Sequence, residues 1–272
     1  MTATSQNDRA KQFRALHAPG NFLRLTNAWD VASARLAEDC GAKAVATSSA
    51  AVAWAHGYPD GEKLPKDVHI TFVREIVRVV QVPISADIEG GYSDDPDEAA
   101  AFVIALAHAG AVGINLEDGH DRPPLLVAKI HAIRKAVEKA GVDVYVNART
   151  DVYLKSLVPE ERALDETLAR GRLYRDAGAD GLFVPALVDT DAMRKIADAI
   201  ALPLNVLTRK DLPAVDVLRN AGARRLSSGG GIARAAYAAG WRAAAEILDH
   251  GRYDTMLTGA EGLPNLNALM EQ

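Results

Sequence analysis

Along the chain, stretches with apolar residues at three- and four-residue spacing alternate with short, continuous apolar runs. The first pattern is that of a helix burying one face, and the second is that of a strand covered on both sides. The alternation predicts strands near 22–26, 44–48, 84–86, 112–116, 144–148, 181–184, 204–207 and 225–227. It predicts helices near 31–39, 67–80, 96–109, 125–140, 160–177, 191–200, 213–221 and 232–250. A joint recurs where helix gives way to strand: Cys40-Gly41-Ala42, Ala109-Gly110-Ala111, Ala140-Gly141-Val142, Ala177-Gly178-Ala179 and Ala221-Gly222-Ala223. Glycine just past a helix takes the left-handed conformation without a Cβ penalty, so the next strand can start at once. Repeated joints of this kind, with no hairpin signals, mean alternating βα units and a parallel sheet. Eight units in roughly 250 residues is the size of a (β/α)8 TIM barrel. The competing open, doubly wound sheet would call for a Gly-x-Gly-x-x-Gly after the first strand, and there is none.

Nothing resembling a linker divides the chain, so a single domain is expected over residues 1–272. A short leading helix is expected over 8–15, and a loosely ordered or neighbour-bound tail over 253–272. The last helix, 232–250, is rich in alanine, which fits a subunit contact or equally close packing on the barrel.

Composition narrows the function classes. The chain is 49% hydrophobic and 25% charged with a formal net charge of -5, an ordinary globular balance. A mildly acidic protein is a poor fit to nucleic acid or anionic membrane. No apolar run approaches the roughly 20 residues of a membrane span, and the polar N-terminus lacks a signal-peptide core. A cytoplasmic protein is therefore expected. Cys40 is the sole cysteine, which excludes an internal disulfide and cysteine-based structural zinc. It is expected to be an inert packing residue at the end of the first helix.

Barrel active sites lie at the C-terminal ends of the strands, and that rule selects residues without further assumption. Strand one ends in Asn27-Ala28-Trp29-Asp30 and strand two in Ser48-Ser49-Ala50. Strand three brings Asp87 and Glu89, strand four Glu117 and Asp118, and strand five Asn147, Arg149 and Asp151. Strand seven brings Asn205, and strand eight Ser227-Ser228-Gly229-Gly230-Gly231. Asp87 and Glu89, two apart at a strand tip, repel each other unless a cation lies between them; the alternative is a solvated acidic turn. An all-oxygen donor set suits Mg2+ or Mn2+ and not zinc. Arg149 beside it suits a carboxylate or phosphate on a substrate, or else a structural ion pair with Asp151 or Glu117. The glycines after strand eight fit a phosphate loop or room for the last helix. Among the histidines only His120 falls in a loop at the active end, as a possible acid or base.

These residues resemble the isocitrate lyase/phosphoenolpyruvate mutase superfamily over nearly the whole chain. The matching pieces are Asn27-Ala28-Trp29-Asp30 with Ser33-Ala34-Arg35-Leu36, Thr47-Ser48-Ser49-Ala50, and Gly57-Tyr58-Pro59-Asp60-Gly61-Glu62. Asp87-Ile88-Glu89-Gly90-Gly91-Tyr92, Asn115-Leu116-Glu117-Asp118 and Asn147-Ala148-Arg149-Thr150-Asp151 complete them. The resemblance implies a Mg2+-dependent barrel that binds a 2-oxo acid or its enolate and works on an adjacent C–C or C–P bond. It implies Asp87 as the principal metal-side carboxylate, with Glu89 and Glu117 acting directly or through waters, and Asp60 facing the metal waters. Ser48 and the N–H groups of Ser49 and Ala50 would hold substrate oxygens, and Arg149 would neutralise enolate or carboxylate charge. It also implies a homo-oligomer, a tetramer, with the last helix exchanged between subunits.

The departures define what to expect of the chemistry. The lyases of the superfamily carry Lys-Lys/Arg-Cys-Gly-His on a lid after strand four. Here that stretch is Glu117-Asp118-Gly119-His120-Asp121-Arg122-Pro123-Pro124. The lysine and asparagine of the longer mutase and hydrolase loop are absent too. Strand three carries Asp/Glu where many members have Asp/Asp, and strand six ends in Val184-Pro185 where mutases place a histidine. The expectation is a lyase for a small 2-oxo or 2-hydroxy acid, such as an oxaloacetate decarboxylase or acylhydrolase. The alternatives are a 2-oxo acid binding protein without turnover and a phosphonate C–P enzyme.

Overall fold

In the computed structural model, which describes residues 5–271, eight parallel strands close in sequence order into a barrel, each paired with the next and β8 with β1. The strands are β1 (Leu23–Ala28), β2 (Val45–Thr47), β3 (Ile84–Asp87), β4 (Gly113–Glu117), β5 (Tyr145–Arg149), β6 (Gly181–Phe183), β7 (Leu204–Leu207) and β8 (Ala223–Ser227). The helices are α1 (Gln6–Ala15), α2 (Val31–Asp39), α3 (Ser49–Ala55), α4 (Lys66–Val79), α5 (Pro96–His108), α6 (Pro123–Ala140), α7 (Glu160–Asp176), α8 (Thr190–Ile200), α9 (Val215–Asn220), α10 (Gly231–His250), α11 (Asp254–Gly259) and α12 (Leu266–Met270). The expected (β/α)8 TIM barrel is therefore present. The five joint glycines all have positive φ, from 67° at Gly141 to 107° at Gly110. At Gly110 space adds to the requirement, since a Cβ would lie 2.6 Å from Val77.

Alternation along each strand sends one set of side chains out to the helices and the other into the barrel. Ile84, Ala86, Ile114, Leu116, Val146, Leu182, Leu204 and Val206 belong to one cluster with helical Phe72, Ile76, Phe102, Leu106, Ile130, Ile133 and Ile196. Truncating one of these leucines, isoleucines or phenylalanines to alanine would cost about 2–5 kcal/mol. The intervening positions include Ser85, Asn115, Asn147, Asn205, Arg225 and Ser227, all buried. The usual barrel interior is filled by branched apolar residues; this one has a polar middle.

α1 closes the bottom of the barrel. Its Phe13 is fully buried and packs edge-on against Tyr145, with ring centroids 5.5 Å apart. Gly113 leaves room for it, because a Cβ there would lie 2.8 Å from the Phe13 ring. Arg14 then ties the helix to Asp143 at 2.7 Å and Asp180 at 2.6 Å, on two successive αβ joints.

Two expectations need correction, and one open alternative narrows. The tail is not wholly loose: it forms α11 and α12, Leu269 is buried, and Arg35 donates to the Leu269 carbonyl at 3.0 Å. Cys40 caps α2 and is exposed, so it is no packing residue. α10 does not pack closely on its own barrel: of its 20 residues only Ala233 is buried, while Trp241 is 73% and Leu248 83% exposed. Among the described residues no helix is long and apolar enough to cross a membrane.

Candidate active site

The C-terminal mouth of the barrel is acidic. Asp87 ends β3 and is 8% exposed. Its Oδ2 accepts from the Ser49 N–H at 3.0 Å and the Ser49 hydroxyl at 2.9 Å, while its own N–H donates to the Thr47 hydroxyl at 2.8 Å. Ser49 can do this because α3 starts directly at the tip of β2. Asp87 Oδ1 faces only the Asn115 amide, at a long 3.4 Å.

Glu89 lies two residues on, with a positive φ of 52°. Glu62 and Tyr92, at 59° and 61°, are also left-handed. Such residues cost of order 1–3 kcal/mol each and gather at functional sites. Here they form a clasp: Glu89 Oε2 accepts from the Glu62 N–H at 2.8 Å, and Glu62 Oε1 accepts from the Tyr92 N–H at 2.7 Å. Lys129, buried on α6, donates to the Gly90 carbonyl at 2.7 Å and pins the turn. Glu117, ending β4, pairs with Arg149 at 2.7 Å. The other edge of the same guanidinium holds Asp151 through Nε at 2.6 Å and Nη2 at 3.0 Å. Lys155 completes a quartet, 3.1 Å from Asp151 and 3.9 Å from Glu117.

Burial is the main influence on the two glutamates, and nearby anions add to it. Glu89 is pushed up to about 7 by desolvation, then by Asp60 and Asp87. Glu117 is pushed up to about 8 by desolvation, which outweighs the opposing pull of Arg149. Between them opens a cavity of about 190 Å³ lined by Glu62, Glu89, Asp94, Glu117 and Asp121, with Lys129 as its cation. Clefts of about 450 and 470 Å³ lie elsewhere, one beside α7 and α8 and one beside Cys40, away from these carboxylates. Among the described residues no three acidic, histidine or cysteine side chains stand close enough to be direct ligands of one metal. The all-oxygen donors, the cavity between them and the raised carboxylates fit a hard divalent cation held largely through waters.

The structure thus gathers Asp87, Glu89, Glu117, Ser49 and Arg149 at the mouth. Asp60 is exposed on the loop after α3, close enough to raise Glu89. Ser48 is buried as the N-cap of α3, with Ala50 in the first turn. His120 is exposed at the tip of the β4–α6 loop. Asn27 serves the scaffold: its Nδ2 donates to the Thr47 carbonyl, and its Oδ1 accepts from the N–H groups of Ser228 and Gly229 at 3.0 and 2.9 Å. That pair is therefore not free to cradle a phosphate. Asn205 lies fully buried inside the barrel, accepting from Ser227 at 3.1 Å.

Asp118, selected with the tip of strand four, takes a structural role, and two lysines of the site were not foreseen. Asp118 is fully shielded beneath the mouth, accepting from the Asp151 N–H at 2.9 Å, Arg170 at 2.9 Å and the Tyr174 hydroxyl at 2.6 Å. It fixes the β4 and β5 loops against α7. Lys129 had a signal, being a lysine on the apolar face that carries Leu126, Ile130 and Ile133. Lys155 had a weaker one, its four-residue spacing from Asp151.

A barrel whose mouth combines carboxylates, a paired arginine and a small cavity has the layout of a barrel enzyme's active site. The chain belongs to the phosphoenolpyruvate phosphomutase family, whose model matches residues 13–248, and with it to a superfamily of carbon–carbon lyases and mutases. It is 37% identical over 237 residues to an uncharacterized protein of Mycobacterium tuberculosis (strain ATCC 25618 / H37Rv), covering 86% of each chain. It is 31% identical over 212 residues to 2-methylisocitrate lyase of Escherichia coli (strain K12), covering 74% of this chain and 70% of that one. It is 29% identical over 220 residues to oxaloacetate decarboxylase of Pseudomonas entomophila (strain L48), covering 76% and 73%. The fold superposes with a TM-score of 0.83 on the crystal structure of a proposed phosphonomutase from Burkholderia cenocepacia J2315, 38% identical over 91% of this chain and 100% of that one.

Proposed function

We propose that the protein is a Mg2+-dependent lyase that breaks a C–C bond of a small 2-oxo dicarboxylate, either next to the keto carbon or one bond beyond it, with oxaloacetate as the model substrate. The observation that carries this reading is a small cavity lined by Glu89 and Glu117, both raised by burial, with Asp87 on the adjoining strand tip close enough to raise each of them further. Asp87, Glu89 and Glu117 would hold Mg2+ (or Mn2+) largely through waters, with Asp60 facing those waters. Bound there, the cation would polarise the keto oxygen and stabilise negative charge as the C–C bond breaks. Ser48 and the N–H of Ala50 receive the substrate carboxylate, and the Ser49 N–H joins them if it gives up Asp87. Arg149, held by Glu117 and Asp151, places positive charge beside the developing enolate. In decarboxylation the electrons of the C3–C4 bond pass into the enolate of pyruvate as carbon dioxide leaves, and a proton then adds to C3. In acylhydrolysis water adds to C2, the C2–C3 bond breaks, and oxalate and acetate result. His120 or solvent supplies the proton. The test is Mg2+-dependent loss of oxaloacetate with pyruvate and oxalate measured separately. Saturable oxaloacetate binding with no product above the uncatalysed rate would overturn the enzymatic reading and leave a binding protein.

The raised glutamates set the sign of a pH effect. Each ionises near 4.5 when unperturbed but only near 7 or 8 in the fold. Their contribution to stability is complete below about 4.5 and is lost as pH rises through 7 and 8. The metal-free protein should therefore melt at lower temperature at pH 8.5 than at pH 6. Mg2+ at a hundred times its Kd adds about 2.7 kcal/mol, which is roughly 5–10 °C for a chain of this size. At one fixed Mg2+ concentration the shift should be larger at pH 8 than at pH 6, because binding displaces protons and the affinity rises with pH. Scanning calorimetry with and without MgCl2 reads both effects, and equal melting temperatures throughout would contradict the metal assignment.

The exposed face of α10 supports a homo-oligomer in which this helix lies against a neighbouring subunit, and the family resemblance argues for a tetramer. Ile232, Tyr237, Trp241, Ile247 and Leu248 are all at least 41% exposed on the single chain, an apolar surface that calls for a partner. Sedimentation at micromolar concentration should show an oligomer, and Trp241→Glu with Leu248→Glu should release monomer. A wild-type monomer would remove this part of the proposal.

A further inference from the structure

Arg225 is the largest fully buried side chain among the described residues, 1% exposed. It leaves β8 near the bottom of the barrel, above the Phe13 plug, with its guanidinium carbon 6.0 Å from that ring. Its Nη2 reaches Asn115 Oδ1 at 3.2 Å, on β4, four strands away and hence on the opposite wall. The side chain thus spans the barrel. The described hydrogen bonds and ion pairs give it no carboxylate; its partners are Asn115 and, at 3.4 Å, the Ser227 hydroxyl. A buried charge without a contacting counter-ion is costly and calls for a reason. Full burial lowers its pKa to about 10, which still leaves it charged at neutral pH.

Asn115 links Arg225 to the mouth. An arginine nitrogen can only donate, so the Asn115 atom facing it must be the oxygen. Asn147 Nδ2 donates to the same oxygen at 2.8 Å. The Asn115 NH2 is thereby turned the other way, to Asp87 Oδ1 at 3.4 Å. Asp87 then meets donors on both oxygens, from Asn115 on one and Ser49 on the other, and is held as an acceptor. Without Arg225 only Asn147 would hold that orientation, and an Asn115 that turned over would set its oxygen against Asp87 and repel the carboxylate it now supports.

Building on the cation site proposed at Asp87, we infer that Arg225 is a positioning residue for it, acting through Asn115 from inside the barrel to orient Asp87. It touches neither substrate nor metal. Losing such an outer partner typically weakens metal binding roughly 10–100-fold.

The test is Mg2+ binding to the full-length protein without substrate, by calorimetric titration with MgCl2 and by water-proton relaxation with MnCl2. Arg225→Met should weaken binding by that factor. Arg225→Lys keeps the charge and one donor but loses the planar fork, so it should recover most of the affinity while staying more than twofold weaker than wild type. Asn115→Met should weaken binding as Arg225→Met does, and the double variant should be no weaker than either single one. Circular dichroism establishes that each variant is folded. Should the methionine variants not fold, Arg225→Lys carries the decision. Affinity within twofold of wild type in Arg225→Met, or in Arg225→Lys if only that variant folds, overturns the inference. Asp87→Ala separates the two readings: if it weakens binding and Arg225→Met does not, the cation site stands and the role of Arg225 falls. If neither weakens binding, the site itself is misplaced.

Discussion

Asp87→Ala is expected to abolish measurable Mg2+ binding and to lower kcat/KM for oxaloacetate about a thousandfold, close to 4 kcal/mol of transition-state stabilisation. Asp87 is the mouth carboxylate with most of the structure built to hold it. Ser49 meets one oxygen twice, Thr47 takes its N–H, and Asn115 supports the other oxygen. Glu89 and Glu117 are each committed elsewhere, to the Glu62 N–H and to Arg149. Removing either should cost less, because its oxygen can be replaced by a water. The variant should fold, since alanine leaves the β3 ladder intact and relieves repulsion with Glu89. Calorimetric titration and steady-state kinetics on the same preparation check both halves. Mg2+ affinity equal to wild type would mean that the cation, if one binds, sits elsewhere.

The second large effect concerns substrate choice. With Mg2+ present, isocitrate and 2-methylisocitrate should be cleaved at least about a thousandfold less efficiently than oxaloacetate is consumed. Cleaving the larger acids leaves a dianionic enolate that needs a proton delivered to carbon by a positioned acid under a closed lid. The superfamily resemblance puts that acid on a cysteine after strand four. In this structure only residues 118–122 separate β4 from α6. The segment is pinned from below, because Asp118 is held by Asp151, Arg170 and Tyr174, and the Asp121 N–H bonds back to the Asp118 carbonyl at 2.7 Å. Cys40 caps the C-terminal end of α2, the end of the barrel opposite the mouth. A pyruvate or acetate enolate can take its proton from solvent or from the exposed His120, so the small substrate escapes this requirement. The 31% identity to 2-methylisocitrate lyase of Escherichia coli makes the comparison a sharp one. Efficient release of glyoxylate or pyruvate from the larger acids would show that a mouth group replaces the missing thiol. Lys155, beside Glu117, would then be the first to examine.

The sequence by itself was enough for the barrel and for the strand tips at its mouth. The helix–glycine–strand joint sets connection length and backbone handedness locally, and repeated βα units leave few ways to close. Because a closed barrel turns the ends of all its strands to one mouth, Asp87, Glu89, Glu117 and Arg149 could be placed together without any distance. The pairing of Arg149 stayed open between two partners in the sequence, and the structure shows it holding both Glu117 and Asp151. What remained hidden depends on contacts across the barrel or beyond the chain. The apolar pattern records that a face is covered, but not by what. It could not show Phe13 as a plug, the Asp118 anchor, or α12 seated against Arg35. It could not show that α10 leaves most of its surface uncovered by its own barrel, since an alanine-rich face packs as well on a neighbour as at home. Least of all could it show that Arg225 reaches the opposite wall: in Ala223-Arg224-Arg225-Leu226-Ser227 only the closure of eight strands decides which arginine points inward and what it meets.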